Sequence, residues 1–213
     1  MKLKKLLGIP KSLYFNLYYF PLKTALRLPV ILAPDVKLKR MGARDSVKLM
    51  DSGKRIFIGY GESFALGGKT YWDITNQGKI TFIGSAMFGK GTQIIVGGGI
   101  EFGDHFYCNA NCILNAGERI CFGDDVLLGW NCTIIDGDGH TITSECGETN
   151  RHEPIEIGNH VWLASGVTIL KGSKITNGSV VAANGCVSKK YERKNLLIGG
   201  FNKVLREGIC WER

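Results

Sequence analysis

From Ile157 to Val187 an aliphatic residue recurs every six positions without a miss: Ile157, Leu163, Ile169, Ile175, Val181 and Val187. Small or polar residues such as Gly158, Ala164, Asn177 and Ala182 follow closely behind. Six is not a helical period, but it is even, so every sixth residue keeps to one face of a strand. A short strand, a corner and another short strand, each with one inward aliphatic, predict a coil of parallel β-helix rather than a sheet with long loops. Upstream, Phe82, Phe88, Ile94, Phe102, Cys108, Leu114, Phe122, Leu128 and Ile134 follow a 6, 6, 8 spacing. That is a 20-residue coil with one enlarged corner, and F-I-G-S, F-G-D-H and F-G-D-D (at 82, 102 and 122) mark one corner of each coil. Stacking then predicts three columns: Phe82, Phe102 and Phe122; Phe88, Cys108 and Leu128; Ile94, Leu114 and Ile134. Cys108 thereby falls in a core slot rather than a metal or redox site.

The pattern also divides the chain. Residues 1–29 are basic and aromatic, with Lys2, Lys4, Lys5, Lys11, Lys23 and Arg27 among Leu6, Leu7, Tyr14, Phe15, Tyr18, Tyr19 and Phe20. No apolar run there approaches the roughly 20 residues of a membrane span, and Pro10 and Lys11 interrupt any signal-peptide core. A helical segment capping the coil is expected, with a peripheral contact to an anionic membrane surface as the companion reading. Removal of residues 2–20 is then expected to spare the coil. Residues 30–190 form the coil, and residues 191–213 a C-terminal cap. Within the coil, the rhythm fails between Ile134 and Ile157, leaving a polar loop over 135–156 that holds Asp136, Asp138, His140, Arg151 and His152. A long irregular insertion in a regular solenoid is usually functional.

Composition changes this picture little. A net charge of +8 over 213 residues favours anionic company: a phosphate-bearing cofactor, an acidic membrane surface or nucleic acid. The seven cysteines are odd in number and lack C-x-x-C spacing, so neither a disulfide framework nor a zinc ribbon is indicated, and reduced thiols in the cytoplasm are expected.

Three stretches carry a resemblance. V-W-L-A-S-G-V-T-I-L-K-G from Val161, V-V-A-A-N-G-C-V-S-K from Val180 and F-Y-C-N-A-N-C from Phe106 resemble motifs of the hexapeptide-repeat O-acetyltransferases, of the sugar, maltose or galactoside type and its surface-polysaccharide branch. The match covers about Phe82 to Glu207. It implies an all-β fold, a left-handed parallel β-helix, whose hand the spacing cannot supply. It further implies acetyl-CoA as acyl donor with no metal, a small-molecule or glycan acceptor, a homotrimer with the site between neighbours, and no nucleic acid. The chain would work in the cytoplasm, with the N-terminus free to touch the inner face of the cytoplasmic membrane. The tail Y-E-R-K-N…G-G-F-N-K-V-L-R lacks the prolines usual in the family.

Acyl transfer to a hydroxyl needs a base, and histidine suits that near neutral pH. His140 follows D-G-D-G and matches the family's catalytic histidine, with Asp138 as the residue expected to orient its ring. His152 stands in reserve, while His105 and His160 occupy G-[DN]-H corners and read as structural. The resemblance assigns Trp162 and Ser165 to the cofactor junction, the Ser165 backbone serving as oxyanion donor. Ala183, Ser188, Lys189 and Lys203 are assigned to coenzyme A, and Asn109, Asp136 and Arg151 to the acceptor. A γ-class carbonic anhydrase would need three converging histidines, which the spacings do not offer. An antibiotic O-acetyltransferase, an amino-sugar N-acetyltransferase and a non-enzymatic basic scaffold or nucleic-acid binder are the remaining alternatives.

Overall fold

The computed structural model describes residues 6–61, 68–148 and 150–212, and in them the six-residue rhythm becomes a three-sided prism. Successive strands visit three parallel sheets in turn. Among the described residues, sheet A collects Val30–Leu32, Ile56–Ile58, Ala86–Phe88, Phe106–Cys108, Leu127–Leu128, Trp162–Leu163, Val180–Val181 and Leu197–Gly199, closed by Lys203–Arg206. Sheet B collects Lys37–Met41, Tyr71–Ile74, Gln93–Val96, Ile113–Ala116, Thr133–Ile135, Thr168–Leu170 and Cys186–Val187. Sheet C runs from Val47–Leu49 through Lys79–Phe82, Gly99–Phe102, Arg119–Phe122 and Ile155–Ile157 to Lys174–Ile175.

The predicted columns are present, and both repeat series share them. Phe82, Phe102, Phe122, Ile157 and Ile175 are consecutive register partners in sheet C. Phe88, Cys108, Leu128, Leu163 and Val181 align in sheet A, and Ile94, Leu114, Ile134, Ile169 and Val187 in sheet B. The rings of Phe82, Phe102 and Phe122 stack at 5.3 and 5.4 Å, with interplanar angles of 15° and 3°. Cys108 is fully buried, as its core slot requires. Phe122 pairing with Ile157 shows that the polar loop is an insertion within a single coil. It grows from the corner between sheets B and C, where the preceding coils carry their two extra residues at Gly97–Gly98 and Gly117–Glu118.

Helix α1 (Ile9–Tyr19) closes the open end of the prism with Ser12, Phe15, Asn16 and Tyr19, the i, i+3, i+4, i+7 face. Phe15 meets Trp72 edge-on at 4.9 Å. Asn16 donates to the Val30 carbonyl and accepts from its N–H, and Ser12 Oγ accepts from Leu32 N. The helix therefore supplies the hydrogen bonds that the first strand would otherwise leave unmade. This corrects the expectation that residues 2–20 are dispensable: deletion would uncover Trp72 and orphan the edge of Val30–Leu32. Lys2, Lys4 and Lys5 lie outside the described residues.

At the other end the tail doubles back along the prism. Trp211 stacks on His160 at 4.1 Å and 9°, and its Nε1 donates to the His160 carbonyl at 3.0 Å. His160 Nδ1 lies 2.6 Å from Asp125 Oδ2, and Nε2 lies 3.0 Å from the Trp211 carbonyl. Both ring nitrogens face acceptors, so the ring and the Trp211 indole together tie the tail to the corner. Trp211→Ala should release it: hydrogen exchange of residues 207–212 should rise, and unchanged exchange would refute the clasp.

Candidate active site

The polar loop is anchored by residues that its own sequence does not advertise. Asn150, almost fully buried, donates from Nδ2 to the His140 carbonyl at 2.7 Å and to Asp138 Oδ2 at 3.0 Å. Its Oδ1 accepts from Ile142 N at 2.6 Å. Lys171, one coil further on, meets the same Asp138 oxygen at 2.6 Å. Hydrogen bonds from Lys171 and then Asn150 hold the Asp138 carboxyl below the usual carboxylate range. Asp138 is expected from the sequence to orient the His140 imidazole; among the described residues its partners are the side chains of Lys171 and Asn150. His140 itself is exposed.

Asp136, expected on the acceptor side, is turned inward. It is 1% exposed, and its two oxygens accept from Gly117 N at 2.6 Å and Glu118 N at 2.9 Å, which ties it to the preceding coil's corner. Arg151 stands exposed on the loop's return limb.

The residues assigned to cofactor and acceptor fall on two different edges. Asn109, Ser165 and Ala183 line the edge between sheets A and B, Ser165 and Ala183 at equivalent positions of successive coils. Asn109 Nδ2 donates to the Leu128 carbonyl at 3.2 Å, a tie between coils. Among the described residues the Ser165 N–H has no acceptor within the chain, as is also true of Ala110 and Ala183 at equivalent corners of other coils. Coils close tightly beneath it, since a Cβ at Gly129 would stand 2.6 Å from Ser165 N. Trp162, 37% exposed, points outward from sheet A beside Trp211, with ring centroids 5.9 Å apart. Ser188 and Lys189 lie on the edge between sheets B and C, two coils above the loop. Ser188 exchanges two 2.8 Å hydrogen bonds with Asn202, while Lys203 is exposed on the closing strand opposite Gly199. The two edges are separated by sheet B strands of three or four residues, roughly 10–13 Å.

A single chain therefore does not enclose this site. One concavity of the described residues, about 740 Å³, is instead an open groove on sheet C lined by residues that include Glu101, Arg119, Glu156 and Lys174. It meets the loop at its return end, Pro154–Glu156, and His140 is not among its lining residues. Behind the A–B edge sit three buried thiols. Cys112 and Cys132 are pushed well up, first by hydrogen bonding to the thiols of Cys108 and Cys112 respectively, with burial adding to it. Such thiols are poor nucleophiles. Among the described residues no group of three or more His, Cys, Asp or Glu is placed to hold a metal ion.

No family model matches the chain. Over 113 residues it is 33% identical to the galactoside O-acetyltransferase of Escherichia coli K12, covering 52% of this chain and 55% of that one. Over 156 residues it is 26% identical to WbbJ of the same organism, a protein named for lipopolysaccharide biosynthesis O-acetyl transfer, covering 66% and 80%. The solved structure of the polysialic acid O-acetyltransferase OatWY superposes with a TM-score of 0.57 at 22% identity, covering 79% of this chain and 85% of that one. In sequence the chain is similar to sugar and polysaccharide O-acetyltransferases. Its fold is the left-handed parallel β-helix of those acetyltransferases, so the hand that spacing alone could not supply is now fixed. The chain spans a little over half the length of the galactoside O-acetyltransferase it matches.

Proposed function

We propose that the chain transfers an acetyl group from acetyl-CoA to a sugar hydroxyl, the acceptor being a surface polysaccharide or its precursor. The observation that carries this reading is the polar, Asn150-braced loop holding His140, grafted onto one corner of a coil whose sequence relatives include a galactoside O-acetyltransferase. The polysaccharide acceptor is supported by the likeness to WbbJ. His140 takes the hydroxyl proton as the oxygen attacks the thioester carbonyl, and the Ser165 N–H receives the developing oxyanion. Transfer is direct, because the buried thiols disfavour an acyl-cysteine and no serine or cysteine adjoins His140 in the sequence. Coenzyme A release, followed over galactosides, sialic acid oligomers, amino-sugar nucleotides and aminoglycoside or chloramphenicol antibiotics, tests the class. Release with an antibiotic or an amine alone would displace it.

The separation of the two edges favours a site completed by a neighbouring copy, and a homotrimer is the assembly we propose. The work is placed in the cytoplasm, at the inner face of its membrane. Support comes from the outer surface of the cap, where Leu7, Leu22 and Leu26 are each more than 60% exposed beside Lys23 and Arg27. Apolar side chains among cations suit an anionic bilayer surface. The triple variant Leu7→Glu, Leu22→Glu, Leu26→Glu, which leaves Phe15 and Tyr19 in place, should lose binding to phosphatidylserine vesicles without lowering the melting temperature. Equal sedimentation of variant and wild type with vesicles would remove the membrane role.

A further inference from the structure

The carboxylate–imidazole pair of the loop is Asp136 with His152. His152 Nδ1 lies 3.7 Å from Asp136 Oδ1, beyond a hydrogen bond but within easy closing distance. Acid–base contacts are often long before substrate arrives. Asp136 has one oxygen on the Gly117 N–H and the other on the Glu118 N–H, which fixes the position of its carboxyl group. The Nδ1–Cε1 side of the His152 ring sits against two glycines: a Cβ at Gly117 or Gly137 would stand 2.4 or 2.2 Å from it. Its side chain is still 53% exposed. A second carboxylate, Asp138, is close enough to interact electrostatically with it. Among the described residues His140 has no such pairing, and Asp138 is bonded to Lys171 and Asn150.

We propose that His152, held by the buried carboxylate of Asp136, is the general acid that protonates the departing thiolate while His140 serves as the base. This rests on the acetyl-transfer reading above. The acceptor oxygen bonds to the acetyl carbon, its proton passes to His140, the carbon–sulfur bond breaks, and the sulfur takes a proton from His152 Nε2. A proton then moves from the His140 imidazolium to His152 through water, which restores both rings with no other reagent. A carboxylate facing Nδ1 fixes the ring so that Nε2 is the nitrogen presented to the reacting groups, and it compensates the imidazolium's charge.

The test compares two donors, acetyl-CoA and the acetyl thioester of 4-nitrothiophenol, whose thiolate leaves without needing a proton. Methyl β-D-galactoside and a sialic acid tetramer serve as acceptor probes. With acetyl-CoA, His152→Gln should lose about 10² in kcat, and with the aryl thioester it should run close to wild type. His140→Ala should lose equally with both donors. His152 is half-exposed, so an unchanged melting temperature is expected and separates chemistry from folding. Equal losses of His152→Gln with both donors, or no loss with acetyl-CoA, overturn the inference and leave the acetyl-transfer reading standing. A wild-type chain that acetylates neither probe overturns both.

Discussion

Replacing His140 by alanine is expected to lower kcat by about 10² to 10⁴ while leaving acetyl-CoA affinity nearly unchanged. The reason lies in what the variant removes. An alcohol is a poor nucleophile until its proton is being taken, and His140 is an exposed residue whose backbone is pinned by Asn150. Its loss should leave the loop in place, because the pins run to the His140 carbonyl, to Asp138 and to Ile142, not to the imidazole. Ser165→Ala should do far less, since the donor there is a backbone N–H that survives side-chain removal. Steady-state kinetics on the two variants check this. If His140→Ala keeps more than about a tenth of wild-type kcat, or if an acetyl group is trapped on Cys146 at the loop's exposed tip, the base has been misassigned.

The coil was legible because burial acts locally in a solenoid: each inward position answers to its own strand, and the 6, 6, 8 count survives into register partners such as Phe102 with Phe122. The loop was legible only as a break. Which carboxylate meets which imidazole depends on how residues 150–154 fold back across the corner at Gly117. Proximity in sequence suggested Asp138 for His140, whereas the folded chain gives Asp138 to Lys171, which follows in the next coil, and sets His152 before Asp136. Asn150 had no sequence signal beyond being one polar residue among many. His160 read correctly as a corner residue, at a left-handed φ of 54°. Its partner Trp211 could not be seen, because the tail that returns it carries no repeat to count.

Leu127→Arg is expected to break the assembly while sparing the coil. Along sheet A the outward positions in register are Ile31, Phe57, Met87, Tyr107, Leu127 and Trp162, an apolar stripe without a charge. The equivalent outward stripe on sheet C is Lys48, Thr81, Glu101, Cys121, Glu156 and Lys174, which water solvates readily. A continuous apolar face on one side of a prism marks an interaction surface, and a neighbouring copy is the partner that would also bring a second A–B edge to the His140 loop. Leu127 points away from the core that its neighbour Leu128 fills, so a cation there costs little in the isolated chain. Desolvated and unpaired at a subunit contact, it should cost about 2–5 kcal/mol per contact, or roughly 30-fold to several thousand-fold in each dissociation constant. Light scattering should then report monomers, and acetyl transfer should fall with the assembly, because His140 and Ser165 of one chain stand on separate edges. Recovery of activity on mixing Leu127→Arg with His140→Ala is not expected, since the first cannot dock and the second lacks the base. A wild-type monomer with full activity, or an unchanged oligomer from Leu127→Arg, would show that sheet A is not the contact and that one chain suffices.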